Sequence, residues 1–438
     1  MSTAILNWSS LSAEQRRNAL RRPTQPDSGA LEDRVREIVR EVRERGDAAV
    51  LEFTRRFDGV ALQAIGVSPA EFAAAETALG PEQRQAVDRA IANVRHFHEA
   101  QIGAQLHVET APGVVCEQQS RPIDAVGLYV PAGVAPLPSA AIMLAVPARI
   151  AGCPTRIICT PPRRDGTADP AVLTIANLCG VRRVFKVGGA QAIAAMAYGT
   201  PTVPKVDKIF GPGNAWVTAA KLQVANDPEG AALDLPAGPS EVLVIADAGA
   251  RAEFVAADLL AQAEHSVDAQ AVLVTTCGAL AEATAAEIEA QMRRLGRADT
   301  LRKSIEHARL FVVDTVDTAI ELSNAYAPEH LILQVGGARD WLPRVRNAGS
   351  VFLGTWTPET MGDYCTGANH VLPTYGFARA YSGLSLHDFQ KRMTIQEVTA
   401  DGLRGLGPTA ITLAALEGLD AHANAVRVRL AHLDRERA

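Results

Sequence analysis

The chain reads as an α/β protein with two αβα domains, each a parallel sheet covered by helices on both faces. A helical arm precedes them and a helical tail follows. Three observations carry this reading. At 438 residues the chain is longer than a single hydrophobic core organises. Short apolar runs alternate with Ala-rich stretches of helical length, the pattern of strands buried on both faces of a parallel sheet. That alternation comes in two separate series, one from about residue 122 and one from 241.

In order along the chain, residues 1–26 form a short helical arm closed by Pro23 and Pro26. The stretch "LEDRVREIVREVRERGDAAVLEFTRRFDG" has helical spacing, with Gly46 and Gly59 as interruptions, and residues 82–100 are helical again. The first strand series is "DAVGLYV", "RIICT", "RVFKV" and "DKIFG". The second is "EVLVIAD", "AVLVTTC", "LFVVD", "LILQV" and "SVFLG". From roughly 389 onward the pattern is helical without strands.

Composition excludes several classes. Net charge is −6, which argues against phosphate-backbone binding to nucleic acid as the main activity. The Arg-rich stretch from Arg34 to Arg45 is interleaved with Glu and reads as a solvated helix face. Six cysteines lie scattered with no CxxC spacing, which fits reduced thiols rather than a disulfide framework. No apolar run approaches the length of a membrane span and no signal peptide opens the chain, so a cytoplasmic protein is expected. Cys153, at the end of an apolar helix with no His nearby in sequence, reads as a buried structural thiol and not a nucleophile.

No GxGxxG is present. The glycine pairs in "KVGGAQAI" (Gly188, Gly189) and "FGPGNAWV" (Gly211, Gly213) stand at strand-to-helix junctions, where free N–H groups and a positive helix end suit an anion. A tight turn needing glycine explains each of them as well.

The stretch "AYAPEHLIL" places two proton carriers, Glu329 and His330, where a proline-broken turn enters an apolar strand. An extended backbone would send adjacent side chains to opposite faces, so a shared role needs a bend after Pro328. In "LLAQAEHSVDAQ", Gln262 and His265 are three apart at the end of a helix and share a face. "PETMGDYCTGANH" adds Asp363 and His370, and "EGLDAHANAV" holds Glu417 and His422. Read singly, each is weak. Together they make a mixed N/O donor set compatible with Zn²⁺ or Mn²⁺.

The strings "GLYVPAGVAPLPS", "VFKVGGAQAIAAMAYGT", "KIFGPGNAWV", "DLPAGPSEVLVIAD", "LLAQAEHSVDAQ", "YAPEHL", "MGDYCTGANHVLPT" and "EGLDAHANAV" resemble, in order and over nearly the whole chain, the signature blocks of histidinol dehydrogenase. The resemblance implies oxidation of L-histidinol through L-histidinaldehyde to L-histidine, with two NAD⁺ reduced and one Zn²⁺ per subunit. It implies two incomplete Rossmann-like domains in a cytoplasmic homodimer whose active site is shared between subunits. The implied division is an arm at 1–26, a metal-bearing and catalytic domain at 27–128 with 240–385, an NAD-binding domain at 129–239, and a tail at 386–438 reaching the partner.

Carried over residue by residue, the zinc ligands fall on Gln262, His265, Asp363 and His422, and the proton carriers on Glu329 and His330. Substrate contacts fall on Ser240, Gln262, His265, His330, Asp363, Glu417 and His422. NAD⁺ contacts fall on Tyr129, Gln191 and Asn214. Two departures are Ala132, where the family usually reads Gly, and Ser266-Val267 after "AEH". In that light His330, with an ordinary pKa near 6.5, takes the hydroxyl proton as hydride leaves, and Glu329 activates the water of the second oxidation. Rival readings are a dehydrogenase for another polar alcohol such as a sulfonated diol, a zinc hydrolase, and a nucleotide-sensing scaffold.

Overall fold

A computed structural model of the chain describes residues 4–22, 28–132, 136–236 and 238–436. It divides into two compact units, Met1–Gln101 with Ile123–Phe389, and Ile102–Pro122 with Gln390–Ala438.

The larger unit holds two all-parallel sheets. One runs Ile5–Asn7, Arg309–Val312, Gln270–Thr275, Glu241–Ala246, His330–Gln334, Ser350–Leu353 from edge to edge. The other runs Arg183–Lys186, Thr155–Thr160, Ala125–Tyr129, Lys208–Phe210, Ala232–Leu233. Every apolar run of the two series is one of these strands. Helix-covered parallel sheets demand apolar side chains on both faces, and Glu241–Ala246 is buried at all six positions. The two edge strands Ile5–Asn7 and Ala232–Leu233 are short and partly exposed, so they carry no apolar signature. Ile5–Asn7 thus precedes the arm's helix, Ala13–Ala19, and joins the first sheet; Pro23 and Pro26 lie outside the described residues.

The helical stretch of the sequence resolves into Ser28–Arg45, Asp47–Phe53 and a short wide turn at Thr54–Asp58, with Gly46 and Gly59 at positive φ where they interrupt it. Two further helices follow, Pro69–Ala78 and Pro81–Glu99. The structure assigns this region differently from the division expected above. Ser28–Arg45 packs on helices Gly189–Tyr198 and Ala215–Ala225, Pro69–Ala78 on Pro170–Leu178, and Pro81–Glu99 on Pro138–Ile150. Ala125–Tyr129 is the central strand of that same five-stranded sheet. Residues 28–99 and strand Ala125–Tyr129 therefore go with the second sheet rather than with the six-stranded one, while Ile102–Pro122 belongs to the smaller unit. An amphipathic stripe announces that a helix packs, not which sheet receives it.

The smaller unit is an antiparallel sheet in the order Gln390–Val398, Val114–Pro122, Leu106–Ala111, with helices Ala400–Leu416 and Asp420–Arg435 packed on each other. The tail was expected to be strand-free, and Gln390–Val398 corrects that. Seven of its nine residues are exposed, so "QKRMTIQEV" shows no apolar alternation to read.

All six cysteines are unpaired. Cys153, Cys159 and Cys179 are buried, and burial pushes the Cys153 and Cys179 thiols up to about 11, away from nucleophilic use. Among the described residues no helix is long and apolar enough to cross a membrane.

Candidate active site

The site forms at the amino ends of two neighbouring central strands, Glu241–Ala246 and His330–Gln334, which pair with His330 opposite Val242. Open α/β sheets more often bind ligands at the carboxyl ends. The crossover helix Ala252–Ala263 explains the difference, because it runs back and ends beside the amino edge, carrying Gln262 there with His265 just beyond.

Helix Val316–Tyr326 stops at Ala327, whose φ of 56° is left-handed, and Pro328 follows. Glu329 comes next, its backbone C=O accepting from the Ser350 N–H at 2.9 Å. This turn resolves the alternation objection: Glu329 precedes the strand, and its Oε2 lies 3.7 Å from His330 Nδ1. Both side chains are buried, at 6% and 4% exposure. The backbone of Glu241 holds the pair. Its N–H donates to Glu329 Oε2 at 2.8 Å, and its C=O lies 3.0 Å from His330 Nδ1. A carbonyl only accepts, so Nδ1 carries the proton and Nε2 is the free nitrogen of the neutral ring. Nε2 is buried without a hydrogen bond, 3.6 Å from Asp363 Oδ1.

Burial pushes Glu329 up to about 8, partly offset by His330 and the Glu241 N–H. For His330 burial opposes the charge, but Glu359, Glu329 and Asp363 outweigh it and hold the imidazole well above its ordinary value. The expectation of an ordinary pKa near 6.5 is thereby corrected: three carboxyl groups crowd one ring.

Glu359 was not singled out from the sequence. It opens helix Glu359–Tyr364, is 1% exposed, and its Oε1 lies 3.7 Å from His330 Nδ1. Its signal was the i, i+4 spacing to Asp363, which stacks both carboxylates on one helix face. His265, Glu359 and Asp363 have donor atoms all within 4.8 Å of one another, with His265 Nε2 and Asp363 Oδ2 at 4.0 Å. Metal–ligand bonds of about 2.0–2.2 Å let one divalent ion bridge a pair at that separation. The Gln262 amide is best satisfied with its nitrogen donating to Glu359 Oε1 at 2.8 Å and to the Glu241 C=O at 3.2 Å. Its oxygen is then turned away from those acceptors, and an amide oxygen is a ligand type that a divalent cation accepts. This oxygen- and nitrogen-rich, thiolate-free set fits a zinc-class ion.

The remaining predicted residues are distributed as follows. Ser240 immediately precedes Glu241, and its C=O accepts from the Gln270 N–H. Glu417 caps the end of Ala400–Leu416 and His422 lies in the first turn of Asp420–Arg435, both in the smaller unit. On the five-stranded sheet, the Tyr129 hydroxyl accepts from the Gly189 N–H at 3.0 Å and Gln191 is buried in the helix that Gly189 opens. The exposed Asn214 caps helix Ala215–Ala225, its Oδ1 accepting from the Trp216 and Val217 N–H groups. His370, noted beside Asp363 in the sequence, has Nδ1 2.7 Å from the Asp363 C=O and so props the loop.

A family model for histidinol dehydrogenase matches residues 20–430. A histidinol dehydrogenase of Xanthomonas oryzae pv. oryzae is 58% identical over 97% of this chain and 99% of its own length. One from Photobacterium profundum is 52% identical over 98% of this chain and 96% of its own. The crystal structure of histidinol dehydrogenase from Elizabethkingia anophelis superposes with a TM-score of 0.94 at 43% identity, covering 99% of both chains.

Proposed function

The chain belongs to the histidinol dehydrogenase family, oxidoreductases of the final two oxidations of histidine biosynthesis, and on that premise we propose how its residues divide the work. The observation that carries the reading is the buried Glu329–His330 pair, held by the backbone N–H and C=O of one residue, Glu241, beside the His265, Glu359 and Asp363 cluster.

In the first oxidation His330, in its neutral form, accepts the hydroxyl proton of L-histidinol at Nε2 while hydride passes to NAD⁺; the positive charge of a metal bound among the neighbouring carboxylates would favour that neutral form. The Nδ1–H bond to the Glu241 C=O fixes that tautomer. In the second, Glu329 takes a proton from the water as its oxygen adds to the aldehyde carbon, and the protonated His330 returns its proton to the carbonyl oxygen; the resulting diol passes hydride to the second NAD⁺ as His330 again takes a hydroxyl proton. A carboxyl pushed up to about 8 is a far stronger base than an ordinary carboxylate, and one matched to a mildly alkaline operating pH. Gln262, His265 and Asp363 with His422 would hold one Zn²⁺ per subunit, which would supply positive charge to orient the imidazole and amine of the substrate and to offset the carboxylates around His330. Ser240 and Glu417 complete the substrate contacts. Tyr129, Gln191 and Asn214 contact NAD⁺. Glu417 and His422 serve the site of a partner subunit in a cytoplasmic homodimer.

The test is NADH formation from L-histidinol and NAD⁺ by the metal-loaded protein, with His330→Asn as the control. Two NADH per histidine, and loss in the variant, support the reading. Turnover of a sulfonated diol in preference to histidinol overturns the substrate assignment, and hydrolysis without NADH overturns the reaction class.

A further inference from the structure

The proton carriers owe their placement to Glu241, and Glu241 owes its own to a residue of the N-terminal arm. Arg22 grips the buried Glu241 carboxylate with both forks of its guanidinium, Nε to Oε1 and Nη2 to Oε2 at 2.8 Å. The same Nη2 donates to the Tyr326 C=O at 2.9 Å and the Ala327 C=O at 3.3 Å, at the left-handed turn that launches Glu329. The guanidinium lies 4.0 Å from the centroid of the Tyr326 ring. The Tyr375 N–H closes the set, donating to Glu241 Oε1 at 2.9 Å.

Resting on the reading above, we propose that Arg22 is a positioning residue for both oxidations, locking the residue, Glu241, whose backbone N–H and C=O hold Glu329 and His330, and tying it to the turn that delivers them. A planar, bidentate fork with spare N–H groups is required for this; a lysine keeps the charge but satisfies one direction at a time. Arg22 lies more than three hundred residues from the pair in sequence, yet a single guanidinium spans the start of one strand and the turn entering the next.

The experiment compares Arg22→Lys, Arg22→Ala and His330→Asn in the full-length, metal-loaded enzyme, measuring kcat, KM and melting temperature for histidinol and for histidinaldehyde oxidation. Misplacing the base by about 1 Å costs on the order of 100-fold in rate. We therefore expect kcat in both half-reactions to fall about 10- to 100-fold in both Arg22 variants, with KM for histidinol within about twofold. Added guanidinium ion should restore part of the rate of Arg22→Ala and none of that of His330→Asn. If Arg22→Ala does not fold, Arg22→Lys carries the measurement. A pure anchoring role predicts lower melting temperatures with kcat intact below them; that result overturns the inference, as does a kcat within twofold of the unmodified enzyme while His330→Asn is inactive. Full activity of His330→Asn refutes instead the acid–base assignment on which the inference rests.

Discussion

Replacing Asp258 by Asn isolates the cost of a buried carboxyl just beneath the site. Asp258 lies on helix Ala252–Ala263 at 6% exposure, with the Gln334 amide donating to its Oδ2 at 2.8 Å. Burial pushes it from 3.8 up to about 7, against the smaller opposing effect of Gln334. The folded-state pKa is raised, so the folded protein binds the extra proton and this group's favourable contribution is complete below the unfolded pKa near 4. It is lost as pH rises through the folded value near 7. Roughly three pKa units at about 1.4 kcal/mol each bound the loss at about 4 kcal/mol above pH 7. Asn keeps an acceptor for Gln334 and has no charge to desolvate. At an unfolding entropy of about 2.1 cal/mol/K per residue, 4 kcal/mol corresponds to about 4 °C for a chain of this length. The assay is the difference in melting temperature between Asp258→Asn and the unmodified protein across about pH 4 to 8, and the variant's advantage should grow from near zero to that figure. A difference that stays flat with pH, or a variant less stable than the parent above pH 7, refutes the account of Asp258 as a proton-holding group.

Other perturbations test the site. Glu329→Gln removes the water-activating carboxylate while keeping an acceptor for the Glu241 N–H, so aldehyde oxidation should fall by about tenfold or more beyond any loss in histidinol oxidation; equal losses in the two separately assayed half-reactions refute the division of labour. His265→Asn should weaken zinc and histidinol binding more than it slows hydride transfer from bound substrate, read by metal content, competition with a chelator and KM; an unchanged KM with collapsed kcat contradicts it. Gly211 has a φ of 124° and an added Cβ would collide with the Tyr129 C=O. Gly211→Ala should therefore raise KM for NAD⁺ and cost about 1–3 kcal/mol of stability; an unperturbed variant on both measures refutes a tight turn there.

Much of the fold was legible in the sequence because a parallel sheet writes itself as short apolar runs and its crossovers as Ala-rich helices. The nine predicted strands all formed for that reason. The strands missed are those whose side chains are not buried on both faces, Ile5–Asn7, Leu106–Ala111 and Gln390–Val398 among them. Of the candidate site, Glu329, His330, Gln262, His265 and Asp363 were all visible as residues. Glu359 was not singled out, since an acid opening a helix is ordinarily just a favourable partner for its dipole.

The sequence by itself determined which segments become strands and helices, and which family the chain joins, because periodicity and motif strings are local properties of the chain. Only the tertiary structure decided that helices 28–99 pack on the helices flanking the five-stranded sheet, that the Glu241 C=O fixes the tautomer of the neutral His330 ring, and that three carboxyl groups lift one imidazole. Packing partners and proton affinities are sums over neighbours distant in sequence, and those neighbours become known only when the chain has closed on itself.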